Sequence, residues 1–244
     1  MTTEAQRVLI VNADDFGQSF GVNRGIIQAH EHGIVTSSSL MVRWPAAHEA
    51  AQYARGRSRL SVGLHVDLGE WMYRDGAWVP LYEVVSLNEA ALIADEIDRQ
   101  LEAFTELMGR EPTHIDSHQH VHLRSPAREV ITAFAARLGV PLRSVTRAIR
   151  FCGNFYGQTA EGVRLPDALT ADRLIALLRA LPPGVTELSC HPGFDDDGLM
   201  TMYRAERVEE VAVLCDRRVR DAAAELDIAL RSFAEVGGEA AFRS

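Results

Sequence analysis

The stretch RVLIVNADDFG at residues 7–17 decides the fold class of this 244-residue chain. Its first six residues, 7–12, form an apolar run without alternation between polar and apolar positions, which is typical of a strand covered on both faces. The run ends in the acidic pair Asp14 and Asp15, and a helix is predicted to follow over 22–30. A buried strand followed by a helix is the beginning of a βαβ unit.

The same alternation continues along the chain. Further strands are predicted at 35–42, 60–66, 113–122, 141–145 and 185–191, with a candidate at 228–233. Helices are predicted at 48–54, 89–108 (capped by Asn88 and ended by Gly109), 126–138 (capped by Ser125 and ended by Gly139), 172–181 and 202–226. This order predicts an α/β fold. A single (β/α) barrel has about 250 residues, so we expect a distorted (β/α) TIM-like barrel as a single domain over 1–244.

Composition excludes several classes of protein. The formal net charge is −9, which disfavours binding to nucleic acid or to an anionic membrane surface. All 25 basic residues are arginine, so Schiff-base chemistry and a Walker-type phosphate loop are excluded. We find no signal peptide and no apolar stretch long enough to span a membrane. Three cysteines without a CxxC pattern favour a cytoplasmic protein, and a homodimer is the commonest assembly.

Polar side chains of metal-binding or acid–base character follow four of the predicted strands. They are Asp14 and Asp15, His65, the histidines of THIDSHQHVH at 113–122, and His191. Because the carboxyl ends of barrel strands meet on one face, these residues are predicted to share a site. Imidazole and carboxylate together admit zinc or magnesium, with manganese and cobalt as further options.

Individually, each of these patterns has a simpler explanation. A lone His65 is more often a hydrogen-bonded structural residue, and Asp-Asp before Phe-Gly is a common turn. In 113–122, side chains at every second position would lie on one face of an ideal strand, so Asp116, His120 and His122 are predicted beside the metal or the substrate. Asp116 suits the orientation of a histidine ligand through its second ring nitrogen.

Five segments together resemble one known family. VNADDFG at 11–17, GIVTSSSLMV at 33–42, GLH at 63–65, PTHIDSHQHVH at 112–122 and CHPG at 190–193 are similar to motifs of the YdjC-like carbohydrate deacetylases, which include chitooligosaccharide deacetylase. The resemblance implies a distorted barrel, one divalent metal ion (magnesium or zinc), and removal of an N-acetyl group from an amino sugar or short oligosaccharide. It also implies that Asp15, His65 and His118 bind the metal, with Asp14 as catalytic base and His191 as catalytic acid.

The substrate would then be held by segments outside these motifs, at 66–86 and 147–169. The first carries Trp71, Tyr73 and Trp78, whose rings suit the apolar face of a sugar but equally suit packing against the barrel. Arg143 is predicted either to anchor a polar substrate group or to pair with a site carboxylate.

Three other functions compete with the deacetylase. A different metal-dependent amidohydrolase also uses HxH on a barrel, but there the motif belongs to the first strand. A non-haem iron oxygenase uses two histidines and a carboxylate, usually on a fold with less helix. A non-catalytic, metal-dependent sugar-binding protein would need Asp15, His65 and His118, but would need neither Asp14 nor His191.

Overall fold

The computed structural model describes residues 6–195 and 198–237. Its strands, in chain order, are β1 (Arg7–Phe16), β2 (Ser37–Leu40), β3 (Ser61–Val66), β4 (Gly69–Arg74), β5 (Ala77–Glu83), β6 (Ile115–Ser117), β7 (Ile149–Cys152), β8 (Gly184–Cys190) and β9 (Ile228–Leu230). Its helices are α1 (Phe20–Glu31), α2 (Ala47–Arg55), α3 (Ala90–Met108), α4 (Ala127–Leu138), α5 (Ala171–Arg179), α6 (Ala205–Leu214), α7 (Arg217–Glu225) and α8 (Phe233–Gly237).

A parallel sheet organises these elements, with strand order β6-β3-β2-β1-β8-β7. The strand β1 lies inside it, and β9 pairs with the amino end of β1 over Arg7–Leu9. From Leu9 onward every residue of β1 is buried, as its unbroken apolar run predicts. The α/β fold is therefore confirmed, and the carboxyl ends of the parallel strands point to one side of the sheet.

A fully closed barrel is not observed among the described residues. The segment 141–145, predicted as a strand, makes one bridge between Leu142 and Ile115 in β6. The chain then turns, because Ser144 has a left-handed backbone (φ 59°) and Val145 N–H donates to the Leu142 carbonyl. The sheet therefore stays open between this segment and β7. The predicted domain bounds 1–244 include residues outside the described ranges and stay a prediction.

The histidine-rich segment 113–122 is a strand only over Ile115–Ser117, and a short 3-10 turn follows at His118–Leu123. Gln119 and His120 adopt left-handed backbone conformations, with φ of 49° and 53°. The prediction that its alternate side chains share one face is therefore wrong beyond Ser117.

Three helix predictions are also corrected. The stretch 202–226 forms two helices, and Asp216 caps the second by accepting from Arg218 N–H. The helix α3 starts after Glu89 rather than after Asn88. The helix α4 starts after Pro126, and the Ser125 hydroxyl donates to Glu129 instead of capping the helix. The predicted helix ends at Gly109 and Gly139 are confirmed.

The segment 66–86 contains an antiparallel hairpin, β4–β5, for which no strand was predicted. Its turn is made by Asp75 and Gly76, both with positive φ, as a tight hairpin turn requires. Below the hairpin, buried Asp67 accepts hydrogen bonds from Tyr82 Oη (2.9 Å) and Trp44 Nε1 (3.2 Å). These bonds fix the hairpin to the edge of the sheet where the strands end.

Of the helices in the described ranges, none combines the length and the apolar character that crossing a bilayer requires.

Candidate active site

The end of β1 directs two adjacent carboxylates to different partners. Asp15 has a left-handed backbone (φ 69°), and the pairing of β1 with β2 is irregular between Ala13 and Phe16. In consequence Asp14 forms an ion pair with Arg143, whereas Asp15 contacts His65 and His118.

Asp15, His65 and His118 form a compact buried cluster. Asp15 Oδ1 lies 3.2 Å from His65 Nε2 and 3.0 Å from His118 Nδ1. The other oxygen, Oδ2, accepts from Arg207 Nη2 at 2.7 Å. One ligand atom from each of the three residues lies within 4.8 Å of the others, which is close enough for a single metal ion.

The electrostatics of this cluster favour a cation. Burial alone would lower the pKa of His65, but Asp116, Asp15 and Asp14 raise it to about 9. Burial likewise opposes protonation of His118, yet Asp15 and Glu70 raise its pKa well above the usual range. Two imidazoles and one carboxylate are donors that zinc accepts, and a cation among them supplies the positive charge that the carboxylates favour. The residues therefore fit a divalent metal ion.

Asp116 lies at the far side of His65, with Oδ1 2.7 Å from His65 Nδ1. It also contacts Arg143 Nη2 at 2.7 Å. Burial would raise the pKa of Asp116, but Arg143 and His65 hold it well below its usual range. This is the geometry predicted for Asp116, a carboxylate that orients a histidine through its second nitrogen.

Arg143 lies at the centre of a buried group of three carboxylates. Its guanidinium contacts both oxygens of Asp14 at 2.6 and 2.7 Å, and it reaches Glu187 at 2.7 Å as well as Asp116. Burial and the nearby Asp116 would raise the pKa of Asp14, but Arg143 and His65 together lower it and the net shift is downward. Asp14 is thus held as an ionised carboxylate. Of the two roles predicted for Arg143, the structure shows pairing with a site carboxylate.

His191 follows β8 and lies between two acidic groups. Its Nε2 is 3.7 Å from Asp14 Oδ2, and its Nδ1 is 3.9 Å from Glu210 Oε1. Burial lowers the pKa of His191 to about 4. Glu210 accepts from the His191 backbone N–H and from Tyr203 Oη. The ring of Tyr203 stacks on Tyr156 with centroids 4.4 Å apart.

A cavity of about 880 Å³ connects these groups. Its walls include Asp14, Asp15, His65, His118 and His191. Of the residues predicted near the metal or substrate, Trp71, Trp78 and His120 also line it.

Asp116 and Arg143 lie behind the cavity wall, where they contact His65 and Asp14. Two further predicted site residues, Tyr73 and His122, lie elsewhere. Tyr73 packs its ring against Trp78, with centroids 5.7 Å apart, and is not among the residues that line the cavity. His122 is buried with Nδ1 2.6 Å from Ser117 Oγ, so it supports the turn rather than facing the cavity.

Four charged residues of the site were not predicted: Glu70, Glu187, Arg207 and Glu210. Arg207 and Glu210 left a signal in the sequence, because they share one face of α6 with the buried Val211 and Leu214. Charged residues on the apolar face of a helix indicate a buried polar site. Glu70 left no comparable signal, since the hairpin itself was not predicted.

Comparisons with known proteins identify the family of the chain. The family model described as YdjC-like protein matches residues 8–225. The chain belongs to the YdjC-like family. A carbohydrate deacetylase of Geobacillus stearothermophilus is 36% identical to this YdjC-like chain, over 94% of this chain and 98% of the relative. A chitooligosaccharide deacetylase of Serratia marcescens is 34% identical, over 95% of this chain and 100% of the relative.

Solved structures support the fold. A crystal structure of an Enterococcus faecalis V583 protein superposes with a TM-score of 0.75 at 26% identity, covering 95% of this YdjC-like chain and 99% of the other. A family 4 carbohydrate esterase of Streptomyces lividans superposes with a TM-score of 0.54 at 13% identity, covering 92% of each chain. The shared architecture is a curled parallel sheet that forms a partial barrel.

Proposed function

We propose that this protein is a metal-dependent hydrolase that removes an N-acetyl group from an amino sugar or a short N-acetylated oligosaccharide. The observation that carries the proposal is the cluster of Asp15, His65 and His118 in the same cavity as Asp14 and His191. The names of the carbohydrate deacetylase relatives support the substrate class.

Asp15, His65 and His118 would hold the metal, either magnesium or zinc. A divalent cation bound there lowers the pKa of a water molecule and polarises an amide carbonyl. Arg207, which donates to Asp15 Oδ2, leaves Oδ1 directed at the two histidines. The protein therefore fixes the carboxylate that both imidazoles face.

Asp14 would act as the base that takes a proton from the attacking water. The two contacts from Arg143 fix the orientation of this carboxylate and keep it ionised. A low pKa makes Asp14 a weak base in isolation, so its contribution depends on its position beside the metal cluster. The ionised state is available across the neutral pH range.

His191 would deliver a proton to the departing sugar nitrogen. Since its pKa is lowered to about 4, His191 is neutral before the reaction and has to gain a proton during it. Asp14, 3.7 Å away, is placed to pass on the proton that it takes from water. The amide C–N bond then breaks, and the products are acetate and a free amine.

The sugar would be bound by the aromatic side chains of the cavity wall, Trp71 and Trp78 from the hairpin and Tyr156 from the segment 147–169. Aromatic faces with a polar edge suit the apolar face of a pyranose ring. The cytoplasmic location and the homodimer stay predictions.

The experiment that tests the function is acetate release by metal-loaded protein from N-acetylglucosamine, its β1,4-linked disaccharide and other N-acetyl sugars. We expect release from at least one sugar, with none from the His118→Ala variant. If wild-type protein with one bound metal ion releases acetate from no sugar, the deacetylase proposal is wrong, and a non-catalytic sugar-binding role becomes the better interpretation.

A further inference from the structure

Glu70 is a buried carboxylate that the reaction described above does not use. It lies in β4 and is 2% exposed. Its Oε2 lies 3.5 Å from His118 Nε2, and among the described residues neither atom has a hydrogen-bond partner. Burying a polar group without a hydrogen bond is unfavourable, so this pair indicates an interaction completed in another state of the site.

The two predicted histidine ligands are arranged alike. His65 faces Asp15 through Nε2 and contacts the Asp116 carboxylate through Nδ1. His118 faces Asp15 through Nδ1 and directs Nε2 at the Glu70 carboxylate. A histidine binds a metal through an unprotonated nitrogen, so the proton of each ring must lie on the nitrogen that faces Asp116 or Glu70.

We propose that Glu70 is a positioning residue for the metal site, which accepts a hydrogen bond from His118 Nε2 and thereby fixes the tautomer and orientation of that ring. This inference rests on the ligand set of the proposed function, Asp15, His65 and His118. It assigns to Glu70 the role that Asp116 has beside His65.

The proposal also connects the hairpin to the metal. The side-chain amide of Gln119, the residue after His118, accepts from Trp71 N–H (2.9 Å) and donates to the Trp71 carbonyl (2.8 Å). Consecutive hairpin residues, Glu70 and Trp71, therefore contact consecutive residues of the turn. Since Trp71 also lines the cavity, the strand that supports the metal ligand is the strand that presents a predicted sugar contact.

The first experiment measures zinc affinity by titration calorimetry, without any substrate. Removal of an outer carboxylate partner typically lowers metal affinity by about 10-fold to 100-fold, and we expect that loss for Glu70→Ala. The Glu70→Gln variant keeps an acceptor oxygen, so its zinc affinity should fall less than that of Glu70→Ala. Glu83→Gln is the matched control, because Glu83 lies on the same hairpin and lines the same cavity; its affinity should equal that of wild type.

Unchanged affinity in Glu70→Ala would overturn the proposal. A loss in Glu70→Gln as large as in Glu70→Ala would also overturn it, since that result indicates a carboxylate that binds the metal directly. Wild-type protein that binds neither zinc nor, in the same titration, magnesium would contradict the ligand set itself. Absence of acetate release with zinc affinities as expected would reject only the deacetylase function.

The deciding measurement of the second experiment is made on wild-type protein, so it does not depend on the folding of a variant. In zinc-loaded wild-type protein labelled with ¹⁵N-histidine, His118 should show zinc at Nδ1 and a slowly exchanging proton at Nε2. In Glu70→Gln the same proton should exchange faster. A spectrum with zinc at Nε2 of His118 would show that the nitrogen facing Glu70 carries no proton, and the proposal would be wrong.

Discussion

The left-handed backbone at Asp15 gives two neighbouring carboxylates different chemical surroundings. Asp14 is held by a guanidinium that keeps it ionised, whereas Asp15 lies between two imidazoles. In an extended strand the two side chains would simply point to opposite faces. Here both reach one cavity, because the irregular end of β1 turns the second carboxylate back toward β3 and the turn after β6.

Asp14→Asn tests the base. The amide cannot take a proton from water, so we expect turnover to fall by at least about 10²-fold to 10⁴-fold while metal stoichiometry stays at the wild-type value. Glu187→Gln is a matched control, because it also removes a carboxylate partner of Arg143 but lies outside the cavity wall. Its activity should fall far less. Full turnover in Asp14→Asn would remove the base assignment.

His65→Ala and His118→Ala test the ligands. Each removes one of three donors, so we expect metal content per chain, measured by elemental analysis after dialysis, to fall well below that of wild type. His120→Ala is the comparison, because His120 lies in the same turn and lines the cavity but is not part of the cluster. Metal retained at wild-type stoichiometry in either of the first two variants would argue against that ligand.

At the scale of elements, α1 and the loop after β8 approach each other so closely that the helix needs glycine at the contact. A Cβ atom on Gly25 would collide with the backbone of Gly193, two residues after His191. Phe194 N–H also donates to the Gly21 carbonyl of the same helix at 3.0 Å. The helix therefore sets the position of the loop that carries the predicted acid.

Gly25→Ala should displace this loop and lower turnover while leaving metal content unchanged, since Asp15, His65 and His118 lie on other elements. Gln28→Ala changes an exposed side chain of the same helix and serves as control, with kinetics close to those of wild type. Steady-state kinetics of both variants measure the turnover, and elemental analysis measures the metal content. Wild-type turnover in Gly25→Ala would show that the loop position is not set by this contact.

The same elements explain which residues of the site can be predicted from the sequence and which cannot. Asp14, Asp15, His65 and His191 could be assigned to one cavity, because parallel strands end on one side of a sheet. In the segment 113–122 the sequence predicts the strand but not its end after Ser117. The alternation of side chains gives no sign that Gln119 and His120 adopt left-handed backbone conformations. Glu70 could not be predicted, because its place depends on how the hairpin folds back over the turn at Gln119.

At the scale of the whole molecule, Arg143 carries one positive charge and cannot neutralise the three buried carboxylates that contact it, which are Asp14, Asp116 and Glu187. Burial, together with Asp116 and Asp14 and opposed by Arg143, raises the pKa of Glu187 to about 7 from an ordinary value of 4.5. Folding therefore takes up a proton between these pH values. The stability contributed by protonated Glu187 is fully present below about pH 4.5 and is lost as the pH rises through about 7.

Glu187→Gln cannot titrate. We therefore expect the free energy of unfolding of wild type, relative to this variant, to decrease between about pH 4.5 and 7 and to level off above. Urea unfolding at a series of pH values measures the difference. If the free energies of unfolding of wild type and Glu187→Gln change in parallel with pH across this range, Glu187 has the same pKa in the folded and unfolded chain.

The pairing of β1 also affects how the chain folds during its synthesis. This strand precedes all its partners, yet Arg7 lies opposite both Gly184 in β8 and Ile228 in β9. During synthesis on a ribosome, the apolar residues of β1 lack these partners until β8 and β9 have emerged. Contacts this distant in sequence slow folding, and the nascent chain exposes an unpaired hydrophobic edge meanwhile. A nascent chain that stops before β8 leaves residues 7–13 of β1 without this parallel partner, and this apolar edge is a surface that a chaperone can bind.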